Sequence, residues 1–294
     1  MINQQTASIV DLVYARVPDA TGRELQARLY RPPPTQALLG AAVDVHGGAW
    51  YRGSHLDGAA YACRLAARGV LVMSIEFRHG GSNDRHPAAC QDITAGVRFL
   101  RANAQVLGLD PENVGVIGSS SGGHLALLCA LLAGAAEFEG TEISCPANQV
   151  KPSFKSAAEV SSQVSYAVGL WPVSDPAYRY SYAKADGRDE LVAGHEAYFR
   201  DEEQMRLASI QGLLNRNHQR QLPPIFVVQP GADANVPVEM THALTQSIER
   251  RGGFFAYGYY PGMPHGFAVR DGDRTDACVD QIVGFVQSVM SLQR

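Results

Sequence analysis

Residues 116–124 read VIGSSSGGH: Val116, Ile117, Gly118, Ser119, Ser120, Ser121, Gly122, Gly123 and His124. Two aliphatic residues lead into a glycine, three serines follow, and an apolar helical pattern begins with Leu125, Leu127 and Leu128. The serines therefore fall in a tight turn between a strand and a helix. A nucleophile held on such a turn has a strained backbone and needs neighbours without bulk two positions away on each side, which is the physical content of G-x-S-x-G. Only Gly118-Ser119-Ser120-Ser121-Gly122 satisfies that spacing, so Ser120 is the candidate nucleophile and Ser119 and Ser121 are small residues that let the turn close. The amide of Ser121 opens the helix, where unpaired donors and the positive dipole end suit a developing oxyanion. Read alone, the pattern occurs often by chance and is more simply a flexible polar turn. Gly115 and Gly118 do not form G-x-G-x-x-G, so a dinucleotide fingerprint is not indicated.

Outward from this turn, runs rich in β-branched and aliphatic residues alternate with helical patterns, the signature of a mainly parallel sheet covered on both faces. Strands are expected over 9–17, 24–30, 38–45, 70–77, 113–117, 163–171, 224–229 and 254–260, and helices over 56–68, 88–107, 121–132, 238–251 and 275–292. The 88–107 helix rests on Ile93, Val97, Leu100 and Leu107 at helical spacing and stops at Gly108. Two segments break the alternation. Residues 134–162 are small and polar and read as a long surface loop; 176–222 are charged and tyrosine-rich, helical over 202–214, and read as a cap inserted over one end of a single domain.

A serine needs a general base, and the base needs an orienting acid. Among nine histidines, His265 stands in Tyr260-Pro261-Gly262-Met263-Pro264-His265-Gly266-Phe267, a loop at a strand end, where such a sheet keeps its chemistry. His124 lies closer in sequence but on the helix leaving the turn, and reads as a buried or interfacial residue. Asp233 follows the preceding strand, in Gly231-Ala232-Asp233-Ala234-Asn235-Val236-Pro237; it could instead only close an Asx-turn or cap the next helix. The order Ser120, Asp233, His265 matches one hydrolase architecture, and the conjunction is more specific than its parts. Upstream, Val45-His46-Gly47-Gly48-Ala49-Trp50 ends another strand in two glycines, which let amides face a site; Gly48 and Ala49 are the further candidate oxyanion donors, a plain glycine turn being the alternative.

The bulk composition narrows the classes. The 294 residues are 46% hydrophobic and 18% charged, enough for a large core. With 25 basic against 29 acidic residues the net charge is -4, which leaves no electrostatic footprint for nucleic acid or an anionic membrane. Five scattered cysteines without a C-x-x-C pair suggest neither a disulfide framework nor a zinc site. No run approaches a membrane span, and the first 17 residues lack a basic start followed by an apolar stretch, so a cytoplasmic protein is expected.

From His46 to Phe267 the chain resembles the α/β-hydrolases of the hormone-sensitive lipase type, including bacterial carboxylesterases and the kynurenine formamidase-like group. HGGAW, GSSSGGHLAL, the Asp233-Ala234-Asn235-Val236-Pro237 loop and PHGF occur in family order. The resemblance implies an α/β fold with a mostly parallel eight-stranded sheet, helices on both faces and a cap. It implies Ser120, His265 and Asp233 as nucleophile, base and acid, with Gly48, Ala49 and Ser121 as oxyanion donors. Ala49 stands where lipase-like members have a third glycine, and Gly118-Ser119-Ser120-Ser121-Gly122-Gly123 lacks the acid that usually precedes the nucleophile. The first change leans toward small esters or the formamidase-like branch.

The expected function is therefore cleavage of small or medium carboxylic esters through an acyl-enzyme, without metal or organic cofactor, with activity falling on the acid side as His265 takes up a proton. An amidase of the arylformamidase kind and a non-catalytic binding protein of the same fold are the alternatives. Trp50 and Trp171, each following a strand at its carboxyl end, are the candidate substrate-pocket residues. Tyr51, Tyr178, Tyr180, Tyr182, Tyr198 and Phe199 serve either the pocket or the cap interface, and His195 reads as a solvated or packing residue. The expected partner is a small ester or amide, with a homodimer conceivable through an edge strand at 254–260.

Overall fold

A computed structural model describes residues 7–145, 154–156, 158–216 and 221–292. Strands β1 (Ser8–Arg16) and β2 (Glu24–Arg31) run antiparallel, and β2 pairs antiparallel with β4 (Val70–Ile75). From β4 the sheet continues in parallel through β3 (Gly40–Val45), β5 (Val114–Ser119), β8 (Ala167–Leu170), β9 (Ile225–Pro230) and β10 (Phe255–Tyr260). These eight correspond to the eight expected strands. Every residue of β3, β4, β5, β8 and β9 is buried, as required of strands covered on both faces. At the far end β10 is outermost, with Tyr257 and Tyr259 exposed.

The sheet has ten strands rather than eight among the described residues. The 134–162 segment is not wholly loop: β6 (Glu142–Ser144) pairs antiparallel with β1, and β7 (Phe154–Lys155) pairs with β6. Arg16 and Glu142 form an ion pair along that seam, and the Arg16 guanidinium lies over the Phe154 ring. Residues 146–153 and 157 of that segment, and 217–220 of the 176–222 segment, lie outside the described residues.

Helices α1 (Ala59–Ala67) and α10 (Asp273–Leu292) cover one face, burying Tyr61 and Leu65 with Val279, Ile282 and Val286 against Val72, Ile117 and Val228. The other face is covered by α2 (Ala88–Ala102), α4 (Ser121–Leu131) and α9 (Val238–Arg250), which bury Ile93, Phe99, Leu125 and Leu244 with Val43, Val116 and Val227. Each such aliphatic or aromatic side chain contributes roughly 1.5–3 kcal/mol on burial. The expected 88–107 helix is broken. Asn103 ends α2, its side-chain amide donating to the carbonyls of Phe99 and Ser144, and the short α3 (Ala104–Leu107) ends at left-handed Gly108. No helix of the described residues is long and apolar enough to cross a membrane.

The 176–222 segment carries α5 (Pro176–Ala185), α6 (Asp189–Tyr198), α7 (Glu202–Leu207) and α8 (Ile210–Arg216). The expected helix over 202–214 is two short helices, interrupted at Ala208 and Ser209. The interruption frees the Ala208 carbonyl to meet Nε2 of His124 at 2.9 Å.

Candidate active site

Strand β5 ends at Ser119 and α4 starts at Ser121, so Ser120 is the single residue of the turn, with φ 55° and ψ -120°. A left-handed φ at a non-glycine residue stores strain, sustained here by packing on both sides. The glycines of the motif are explained by close approach. A Cβ on Gly118 would come within 2.2 Å of the Gly122 carbonyl oxygen, and one on Gly122 within 2.2 Å of the carbonyl oxygens of Val45 and His46.

The site lies at the carboxyl ends of the parallel strands. After β9, Asp233 sits in a loop tied to the one after β10: the amides of Gly231 and Ala232 donate to Tyr260 and Met263 at 2.8 and 2.9 Å. These bonds bring His265 over β5. Its Nε2 lies 3.0 Å from the Ser120 hydroxyl oxygen, and its Nδ1 lies 2.8 Å from Oδ2 of Asp233. Asp233 also does what its turn position suggested, because Oδ1 accepts the amides of Asn235 and Val236, each at 2.8 Å. Both carboxylate oxygens are thereby engaged, and the one facing the imidazole accepts the Nδ1 proton. That leaves Nε2 as the acceptor for the Ser120 hydroxyl. The Asp233 side chain is fully buried and Ser120 is 8% exposed, while the His265 side chain keeps 21% exposure.

The loop after β3 packs against Ser120. A Cβ on Gly47 would stand 3.2 Å from the Ser120 Cβ, and Gly48 has φ 115°. His46 stacks on Phe77 with centroids 4.2 Å apart, its Nδ1 contacts the Gly47 carbonyl at 2.7 Å, and burial holds it down to about 4, so it is a neutral prop for this loop. The amides of Gly48, Ala49 and Ser121 have no acceptor among the described residues. Ala49 takes the left-handed region at φ 54°. No three His, Cys, Asp or Glu side chains converge to hold a metal ion among the described residues.

Trp50 and Trp171 are placed otherwise than expected of pocket walls. Each is 1% exposed, so neither presents a surface to a substrate. Trp50, at φ 58°, is packed among His195, Tyr198 and Phe199, and its indole nitrogen donates to Nδ1 of His124 at 3.2 Å. It joins the loop after β3 to α4 and α6. Trp171, at φ 40°, packs beneath the histidine loop, 6.2 Å from the His265 ring and 5.3 Å from Phe267. Tyr198 and Phe199 are buried in the Trp50 cluster, Tyr180 bonds Glu196 at 2.7 Å, and Tyr51 and Tyr178 are exposed.

Two histidines outside the site hold its cover. His124 accepts from Trp50 and donates to Ala208, and His195 contacts the Leu191 carbonyl at 2.6 Å. Burial is the leading cause that lowers each to about 3, so both are neutral in the folded protein. Unfolded histidine titrates near about 6.5. Their stabilising contribution is therefore complete above that value and is lost as pH falls toward about 3. Each should steepen the acid-side stability slope by up to about 1.4 kcal/mol per pH unit. Denaturant melts of the wild type and His124→Gln between pH 4 and 7 are expected to show a shallower slope in the variant; equal slopes would refute a neutral, buried His124.

Known proteins provide an independent comparison. A family model described as BD-FAE matches residues 28–248. Esterase LipC of Mycobacterium tuberculosis is 30% identical over 257 residues, covering 84% of this chain and 58% of LipC. The chain spans about half the length of the curated relatives it matches, 58%, 52% and 49% in three cases. A hyperthermophilic esterase from the archaeon Pyrobaculum calidifontis superposes with a TM-score of 0.71 at 23% identity, covering 96% of this chain and 83% of that one. A truncated carbohydrate esterase from gut microbiota gives 0.73 at 19% identity over 98% of both chains. These structural likenesses carry the fold, and the family match covers most of the sheet. The chain belongs to the BD-FAE family and is an α/β-hydrolase of the hormone-sensitive lipase type.

Proposed function

We propose that the protein hydrolyses small or medium carboxylic esters through an acyl-enzyme formed on Ser120. The observation that carries this reading is the continuous relay from Ser120 through His265 to Asp233, with spacings of 3.0 and 2.8 Å. The esterase activity in the name of LipC, a relative over 84% of this chain, supports it.

In the first step the Ser120 oxygen attacks the ester carbonyl carbon while its proton passes to Nε2 of His265. Asp233 holds the ring and stabilises the imidazolium, and the amides of Gly48, Ala49 and Ser121 receive the oxyanion. Collapse of the tetrahedral intermediate breaks the bond to the alcohol oxygen, which takes the proton from His265. Water then adds to the acyl-enzyme by the same route, releasing the acid and restoring Ser120. Helices α5–α8 act as the cap: the Tyr182 hydroxyl donates to the Ala234 carbonyl at 3.1 Å, Arg188 to the Asn235 side chain at 3.0 Å, and Gly194 packs so closely on Ala49 that a Cβ would stand 2.6 Å from its carbonyl oxygen.

Steady-state rates on p-nitrophenyl acetate and on an N-formyl aromatic amide test the reading. The ester is expected to have the higher kcat/KM by at least about tenfold, reflecting its better leaving group. Turnover of the amide with no ester hydrolysis would replace this reading by an amidase.

A further inference from the structure

Asp44 is a buried acid without a cation. It lies on β3, two residues before His46, and is 1% exposed. Two other aspartate side chains drawn fully into the body have basic partners: Asp92 meets Arg78 at 2.8 Å, and Asp233 meets His265 at 2.8 Å. No arginine, lysine or histidine pairs with Asp44 among the described residues. Its partners are two hydroxyls instead. Tyr61 of α1 donates to Oδ1 at 2.6 Å and Ser74 of β4 donates to Oδ2 at 2.7 Å, and both donors are buried. Gly58 closes over them, since a Cβ there would stand 2.4 Å from the Tyr61 oxygen and 2.9 Å from Oδ2.

These bonds lead to the site. Strand β3 pairs with β5, Asp44 opposite Ile117 and Val45 opposite Gly118, so the two strands run side by side into the loop of Gly47 and the turn of Ser120. The Ser119 side chain is a further hydrogen-bonding neighbour of the Tyr61 hydroxyl. Its oxygen also borders the loop after β3, where a Cβ on Gly47 would stand 3.4 Å from it and 3.2 Å from the Ser120 Cβ. A chain of polar side chains thus runs from Asp44 through Tyr61 to Ser119, the residue next to Ser120, and the acid sets its polarity. A carboxylate only accepts, so Tyr61 donates to it and offers a lone pair to Ser119; a neutral carboxylic acid donates, and the order of donors turns round. Burial leads among the causes that push Asp44 up to about 6, against the two hydroxyl bonds. The titratable groups that face it are Asp57 in the loop before α1, Tyr61 on α1 and Tyr30 on β2. Because the folded value lies above the ordinary carboxyl range, stability is lost as Asp44 ionises, between about 4 and about 6. A carboxylate kept in this setting costs stability rather than supplying it.

We propose that Asp44 is a positioning residue for the reaction: as a carboxylate it fixes, through Tyr61 and Ser119, the turn that presents Ser120 and the Gly47 loop beside it. This rests on Ser120 being the ester-cleaving nucleophile. The test is kcat and KM on p-nitrophenyl acetate across the range from acid to pH of about 8, for the wild type, D44N, Y61F and S74A, each beside a thermal melt. At the alkaline end D44N and Y61F are expected to lose about tenfold or more in kcat with a smaller change in KM, since a misplacement of about 1 Å at a reacting group costs up to about 10²-fold. Below about pH 6 the wild type should lose activity with two protons, one on His265 and one on Asp44, and D44N with one. S74A removes a bond that favours the carboxylate, so it should keep more kcat than D44N at the alkaline end and move the second ionisation to higher pH.

A wild-type acid limb of a single proton would overturn the proposal, whether or not the variants fold. So would D44N or Y61F with a cooperative melt and the wild-type kcat, or an S74A acid limb that coincides with the wild type's. A wild type inactive on the ester would instead remove the ester reading on which the proposal stands.

Discussion

Ser120→Ala is expected to lower kcat on a short-chain aryl ester by roughly 10³-fold or more, with a folded protein. The hydroxyl makes one side-chain contact, at 3.0 Å to His265, and the remaining anchors of the turn are main-chain. These are the Ser120 amide to Leu170 at 2.9 Å and the amides of His124 and Val173 to the Ser120 carbonyl, each at 3.1 Å. Alanine keeps all three and loses only the attacking atom. The check is a burst and steady-state assay beside a thermal melt. Retention of more than about a tenth of the wild-type rate would mean that another group attacks the ester, since loss of a covalent nucleophile is not compensated by binding.

Asp233→Asn should cost roughly 10³- to 10⁴-fold in kcat near neutral pH, with a much smaller change in KM. The substitution keeps an oxygen for the amides of Asn235 and Val236, so the turn persists. The group facing Nδ1 of His265 becomes an amide that can present N–H. The ring then favours the tautomer with its proton on Nε2, pointing a donor at Ser120 where an acceptor is needed. A loss below tenfold in a folded variant would show that the carboxylate neither sets the tautomer nor stabilises the imidazolium.

Both effects follow from residues that local sequence reasoning reaches. Ser120, Asp233 and His265 each follow a strongly apolar strand, and each sits in a loop rich in glycine or proline, so position at a strand end is readable from short windows. The five inner strands β3, β4, β5, β8 and β9 are legible for a related reason: aliphatic runs buried on both faces do not resemble amphipathic helices. Side-chain direction is not legible. Trp50 and Trp171 stand at strand ends as expected, but left-handed backbones at φ 58° and 40° accompany rings packed into the body, and only tertiary contacts decide that.

The same limit explains the other differences. The pairing of β6 with β1 depends on a partner about 127 residues away, which no local pattern encodes. The break at Asn103 needs a side chain that competes for backbone carbonyls, one of them on Ser144. Arg179, between Tyr178 and Tyr180, carries no local mark of burial. Its burial appears only when α5 is laid against Trp50 and His195.

The central claim is that Ser120 is the acylated atom, and covalent capture reads it directly. After treatment with a fluorophosphonate, peptide mass spectrometry should place one stoichiometric adduct on Ser120, and the Ser120→Ala protein should take up none. An unlabelled wild-type protein, or an adduct on a different residue, would contradict the account.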